Sequence, residues 1–313
     1  MVDKIKGIKK SRIKSRIKMS THEAIWGYIF LTPWIFGMIF FIGGPIIASL
    51  VLAFCKWDLI TPPEFVGLDN FIKIMGDPKF WKSLYNTFYY TIFAVPLGIV
   101  GSVIVALLMN QKWKSVRLLR TIYYLPSVTA GVASAIIWMW LFNPDFGLIN
   151  YFLGKLGIKG PLWLASEEWA KPALIIMSLW GVGGNMVIYL AGLQGIPRQL
   201  YEAAEIDGAN VFQKFTNVTL PMLSPVIFFN LIMSIVWSFQ IFTQVYVMTQ
   251  GQGGPADSTL VLVLYIYQKA FKFHQMGYAS ALSWILFVII LIATLLQFKY
   301  SKKWVYYEGE LKK

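Results

Sequence analysis

Six stretches of this chain contain no Asp, Glu, Lys or Arg: residues 24–55, 84–109, 121–142, 172–193, 225–249 and 276–298. Crossing a bilayer takes about 20 mostly apolar residues, so the pattern predicts six spanning helices. Gly43-Gly44-Pro45 predicts a bend, or the end of the regular part, in the long first stretch. Pro96 interrupts the second stretch, and Pro126 and Gly131 the third. Such breakers are tolerated where neighbouring helices satisfy the freed backbone groups. Between the fourth and fifth stretches lies a polar loop, 194–224, and residues 202–225 read EAAEIDGANVFQKFTNVTLPMLSP. That segment predicts a short helix, a bend and a second helix. Pro197 suits a first turn. Leu200, Ala203 and Ala204 share one face, which the two alanines make thin. Asp207-Gly208 supplies an end, because Gly adopts the left-handed conformation after a helix. Val211, Phe212, Phe215 and Val218 then repeat at helical spacing, and Pro221 and Pro225 bracket the return to the apolar phase.

Composition agrees with this pattern. Of the 313 residues 57% are hydrophobic and only 14% charged, and the mean hydropathy is +0.59. A soluble domain has roughly a quarter of its residues charged. The fold class is therefore an all-α polytopic membrane protein. It has one membrane domain, 24–298, between a basic tail, 1–23, and a C-terminal tail, 299–313. The connections are too short for a separate soluble domain. Trp26, Trp34, Trp57, Trp81, Trp113, Trp163, Trp169 and Trp304 lie near the proposed boundaries, as interfacial belts do.

The net charge of +13 is mostly sidedness. Residues 1–23, 110–120, 194–224 and 299–313 hold 19 of the 28 Lys and Arg against 7 acids, whereas 56–83, 143–171 and 250–275 hold 9 against 8. Short loops rich in Lys and Arg face the cytoplasm, which puts both termini and the 194–224 loop there. The run KIKGIKKSRIKSRIK reads as a topology signal beside anionic lipid, not as a nucleic-acid site. It precedes no A-x-A-like cleavage site and is read as retained. With Cys55, His22 and His274 as the whole Cys and His complement, neither a metal site nor an internal disulfide is expected.

An amphipathic connector lying on a bilayer would carry Lys and Arg, whereas this loop carries acids and small residues. Glu202, Ala203, Ala204, Asp207, Gly208, Ala209, Phe215, Leu220, Pro221 and Pro225 fall where the "EAA" loop of binding-protein-dependent ABC importer permeases has them. The chain resembles that family. GGNMVIYLAGLQGIPRQLYEAAEIDGA (183–209) and TQGQGGPADSTLVLVLYIYQKAF (249–271) are similar to its carbohydrate branch. The likeness is strongest from about residue 84 onward.

The resemblance implies a type I ABC importer permease fold of six transmembrane helices in a prokaryotic cytoplasmic membrane. It implies that Arg198 to Gly208 form a coupling helix seated on an ATPase. Glu202 would pair with a basic group there, Ala203 and Ala204 would allow close packing, and Gly208 would set the bend. Arg198, Tyr201, Asp207, Ala209, Phe215 and Pro221 complete the coupling set. The implied partners are a second, different permease, two ABC ATPase subunits carrying ATP and Mg, and an extracytoplasmic sugar-binding protein. No cofactor, metal or catalytic residue is expected on this chain, which has no G-x-x-x-x-G-K-[ST] phosphate loop.

No ionisable residue lies inside the six stretches, which argues against ion-coupled transport and suits a neutral solute. Sugars are held by aromatic faces, amides and hydroxyls. Polar and aromatic residues flanking the coupling loop supply the candidates for the path: Trp180, Gly184 and Asn185 in the fourth stretch, and Trp237, Ser238 and Gln240 in the fifth. Packing between helices explains the same residue types. The alternatives are an ABC permease for another solute, such as glycerol phosphate or a glycerophosphodiester, a membrane scaffold, or a membrane-embedded enzyme.

Overall fold

The computed structural model describes residues 19–111 and 113–306. Most of the basic N-terminal tail and the last residues of the C-terminal tail lie outside them. The chain divides into two units, residues 1–51 and 52–313. In the first unit, α1 (Met19–Gly37) runs through a π turn (Met38–Gly43) into α2 (Gly44–Ala53). The Gly44 N–H bonds the Ile39 carbonyl, five residues back. Pro45 has no N–H and its ring crowds the preceding turn. Widening that turn lets the helix continue, so Gly43-Gly44-Pro45 neither ends it nor needs to. Side chains are exposed all round, Phe30 at 77% and Phe41 at 75%. Such a helix is at home only in an apolar surrounding.

The second unit opens with a two-residue antiparallel ladder, β1 (Cys55–Lys56) against β2 (Glu64–Phe65), and α3 (Asp69–Met75). The buried Asn70 amide donates to the Ala53 and Cys55 carbonyls, both at 2.9 Å. The 32-residue α4 (Pro78–Met109) begins with Pro at its first position. The Asp77 carboxylate caps it, accepting the Lys79 N–H at 2.9 Å. It extends six residues beyond the charge-free stretch because a capped, Pro-initiated start does not require apolar residues.

The remaining helices are α5 (Val116–Val128), α6 (Gly131–Leu141), α7 (Leu148–Lys155), α8 (Ala170–Leu179), α9 (Val182–Gln194), α10 (Arg198–Ile206), α11 (Val211–Lys214), α12 (Leu220–Phe239), α13 (Thr243–Met248), α14 (Leu262–Tyr267) and α15 (Met276–Ser301). Among the described residues, four helical segments are long and apolar enough to cross a membrane: Glu23–Ala53, Pro78–Met109, Val211–Met248 and Met276–Ser301. Counting the bent pairs α5–α6 and α8–α9 as one span each gives up to six.

The third charge-free stretch is not one rod. Its two halves meet at 101°. Pro126 removes one intrahelical donor, and Thr129 and Ala130 then run extended with ψ of 133° and 134°. The second pair bends by only 43°, at Trp180-Gly181. There the Trp180 and Gly181 N–H groups reach back three residues, to Met177 and Ser178, in a tightened turn.

Two buried clusters hold this unit together. One gathers Ala53, Ile74, Phe80, Phe142, Leu262 and Tyr265 around the start of α4. Asp77 stands beside it, accepting hydrogen bonds from the Tyr278 hydroxyl at 2.7 Å and from the Tyr265 hydroxyl. The second cluster gathers Ala106, Met109, Met186, Tyr189, Leu193 and Leu223 at the opposite end of α4. Tyr201, Val218 and Met222 pack on it, so the 194–224 loop is founded on a core.

Candidate functional site

The loop from α9 to α12 is built almost wholly from local rules. Pro197 stands just outside α10 with ψ of 131°, acting as its cap and not as its first turn. At the other end the Ala209 N–H bonds the Ala204 carbonyl at 2.9 Å and the Gly208 N–H bonds Glu205 at 3.0 Å. Those two bonds, with Gly208 at φ +78°, form a Schellman ending. Asn210 then starts α11 with a capping box: its side chain accepts the Gln213 N–H at 2.9 Å, and its own N–H donates to Gln213 Oε1 at 2.8 Å. A π turn, Phe215–Thr219, feeds straight into α12. Pro221 lies at the start of α12 and Pro225 inside it, so both belong to a helix already running.

Two side-chain contacts fold α10 back on this second arm. The hydroxyls of Tyr201 and Thr219 are hydrogen-bonded at 2.9 Å. Lys214 Nζ pairs with Glu205 at 2.7 Å. Tyr201 and Glu205 are four residues apart and share one face of α10. The opposite face then carries Gln199, Glu202, Ala203 and Ile206. All four are exposed, Ile206 at 87%. Val211 (80%) and Phe212 (72%) extend this apolar tip beyond the bend. Ala204 is half-buried and turns into a cleft of about 330 Å³, shared with Asp207, Gly208, Ala209, Gln213, Asn217 and Val218. The thin face expected of Leu200, Ala203 and Ala204 is therefore divided. Arg198 is exposed, whereas Phe215 and Pro221 are half-buried along the second arm. Ile206, with no polar chemistry to mark it, was absent from the expected set.

Two of the path candidates, Trp180 and Gly184, lie beside the α5–α6 bend. The Trp180 ring meets Trp138 of α6 edge-on at 6.1 Å. A side chain at Gly184 would touch Ser127 of α5, and one at Gly131 of α6 would approach Gln244 and Thr243 of α13. A third interruption lies between α12 and α13, where Gln240 and Phe242 leave helical geometry. The bend thus touches both of the other broken helices. Asn185 is half-buried, Gln240 exposed, and Trp237 67% exposed. Ser238 is buried: its hydroxyl donates to the Ile235 carbonyl at 2.9 Å and is hydrogen-bonded to the Thr91 hydroxyl of α4 at 3.0 Å, so it already serves helix packing. Ser127, Trp138 and Thr243 were not among the sequence candidates. They become candidates only when the bend brings them in.

Lys171, counted outside the fourth stretch, lies in the first turn of α8. Its Nζ is 3.3 Å from the Ser258 carbonyl and 3.4 Å from Asn86 Oδ1, and within 5.6 Å of the Tyr85 and Tyr89 ring centres. Among the described residues no three His, Cys, Asp or Glu side chains gather as metal ligands.

Comparison with known proteins matches residues 74–305 to a family described as binding-protein-dependent transport system inner membrane component. A probable ABC transporter permease protein of Bacillus subtilis, YesP, is 45% identical, over 91% of this chain and 93% of the relative. The lactose transport system permease protein LacF of Rhizobium radiobacter is 38% identical, over 91% of this chain and 96% of the relative. In fold, the chain is similar to a subunit of a bacterial ABC transporter involved in import of the acidic polysaccharide alginate. That likeness has a TM-score of 0.80 at 24% identity and covers 91% of this chain and 97% of the other.

Proposed function

We propose a role for this chain from one premise: it belongs to the family of binding-protein-dependent transport system inner membrane components. It is a multi-pass permease of an ABC importer and not an enzyme. In our reading it conducts a sugar or oligosaccharide that an extracytoplasmic binding protein delivers. Two ABC ATPase subunits, carrying ATP and Mg, supply the energy, and a second, different permease completes the pathway. Both termini and the α10 loop face the cytoplasm. Relatives named for lactose and for arabinooligosaccharides support the substrate class.

The observation that carries the coupling role is the arrangement of α10. One face is fastened to the arm that becomes α12, and the other presents Glu202, Ala203 and Ile206 with no hydrogen-bond or ion-pair partner among the described residues. A helix so placed passes a push from an ATPase into the membrane. ATP shifts the transporter only as far as its affinity differs between the two arrangements.

The test is reconstitution with the partner permease and ATPase subunits in proteoliposomes. ATP hydrolysis is expected to rise when the binding protein is added after loading with a sugar identified by a thermal-shift screen of mono- and oligosaccharides. Hydrolysis indifferent to the loaded protein would overturn the assignment. The path residues we assign are Trp180, Gly184, Asn185, Trp237 and Gln240, with Ser238 as their support.

A further inference from the structure

The coupling loop contains a π turn, and the side chain that crosses to it is Tyr201. In Phe215–Thr219 the backbone bonds span five residues, the Leu220 N–H reaching the Phe215 carbonyl. A π turn is rare beside the α-helix it interrupts and is frequent at functional sites. By itself it is a weak joint in the arm that carries α10 into α12. Thr219 ends this turn and is 6% exposed. Its hydroxyl lies 3.4 Å from the carbonyl of Lys214, the residue just before the turn, and 2.9 Å from the Tyr201 hydroxyl on α10. The hydroxyl pair therefore joins two residues 18 positions apart across the joint.

The second fastener is weaker. The Glu205 side chain is 62% exposed, and an ion pair of that kind contributes at most about 1 kcal/mol. It also stops at Lys214, before the π turn begins. Among the described side-chain hydrogen bonds, the Tyr201–Thr219 bond is the one that ties α10 to the far end of the turn.

We propose that the Tyr201–Thr219 hydrogen bond is a strap that makes α10 and α12 one rigid lever. Tyr201 acts as a positioning residue inside this chain and not as a contact for the ATPase. The proposal deepens the coupling role assigned above and rests on it. With the strap intact, a displacement of α10 arrives undiminished at α12. Without it, the π turn absorbs the displacement.

The strap is testable without knowing the solute. Nitroxide labels are placed at Leu200→Cys on α10 and Phe229→Cys on α12, both exposed, in a Cys55→Ser background. The assembled transporter is held in nanodiscs and compared nucleotide-free and trapped with ATP and vanadate. The parent is expected to show one narrow label-to-label distance that does not change on trapping. Tyr201→Phe and Thr219→Val are each expected to lose the single narrow distance, and the double variant to be no worse than either. Thr219→Ser keeps the hydroxyl and is expected to restore the parent distance. A parent distance that changes on trapping would overturn the proposal. So would variants with the parent's distance, or a Ser variant behaving like Val. Failure of the underlying coupling role has a different signature: a Glu202→Arg transporter that still hydrolyses ATP in response to the sugar-loaded binding protein.

Discussion

Gly183 of α9 lies directly against the Tyr123 carbonyl of α5, so close that a side chain there would collide with backbone. Small residues permit such approaches between membrane helices, and neither helix can move aside cheaply where Gly184 also meets Ser127. We expect Gly183→Ala to lower thermal stability by about 1–3 kcal/mol, the usual cost of overpacking, and Gly183→Val by more. The melting of purified protein in detergent measures this. A Val variant that melts with the parent would show that α5 and α9 are loosely joined.

Gly208 is the opposite case. Its surroundings are open, with no atom near the place of a side chain, yet its φ is +78°. The penalty of substitution is conformational alone. Gly208→Asn should be nearly neutral, and Gly208→Ala should cost about 1–2 kcal/mol and Gly208→Val more, following left-handed propensities. The loss should appear as reduced hydrolysis in the assembled transporter, in the order Asn, Ala, Val. Equal losses for all three would indicate a contact made by the Gly itself.

Glu202→Arg should abolish uptake with the chain still inserted, because it reverses the charge on the free face of α10. Membrane fractionation and ATP-dependent uptake of the sugar that loads the binding protein separate the two. Normal uptake removes Glu202 from the coupling face.

Asp77 carries the pH dependence of the opposite end. Burial opposes its charge, but hydrogen bonds from Tyr265 and Tyr278, and then the Lys79 N–H, outweigh this and hold its pKa below the usual 3.8. A folded-state pKa below the unfolded one gives stability that is complete above about pH 4 and lost as the pH falls further. Asp77→Asn should therefore cost about 1 kcal/mol at pH 7, a modest value because the site is partly solvated. Parent and variant should converge as the pH falls below 3.8 and Asp77 takes up its proton. A gap that persists once the carboxyl is protonated would assign the effect to helix capping without charge.

Trp237→Ala and Ser238→Ala separate path from packing. Trp237 is exposed, and its loss should reduce solute-stimulated hydrolysis while leaving the melting temperature in place. Ser238 bonds Thr91, and its loss should lower stability by about 1 kcal/mol with little change in hydrolysis. The reverse pattern would exchange their roles.

Sequence reasoning reached the apolar runs, the helix–bend–helix of the loop and the left-handed Gly208, because each follows from local chemistry over a few residues. The 101° bend was only half legible. Pro126 marked a weakness, but its direction depends on two extended residues, Thr129 and Ala130, that carry no turn signature. Contacts between distant segments were not legible at all. Nothing in Tyr201 announces Thr219, and Lys171 looked like an outside charge until Asn86 and Ser258 were seen beside it. The division of α10 into a fastened face and a free one follows from such contacts, which is why Ala204 and Ile206 were placed by the fold and not by periodicity.

The three interruptions, at Thr129-Ala130, Trp180-Gly181 and Gln240–Phe242, place helix ends inside charge-free stretches of the chain. Every helix end releases main-chain donors and acceptors, and these belong to no side chain. A surface with this lining offers hydrogen bonds that mutagenesis cannot delete. Alanine scanning will read only the replaceable part of the wall, and drift in side-chain identity can retune preference for a solute while the amide framework beneath it persists.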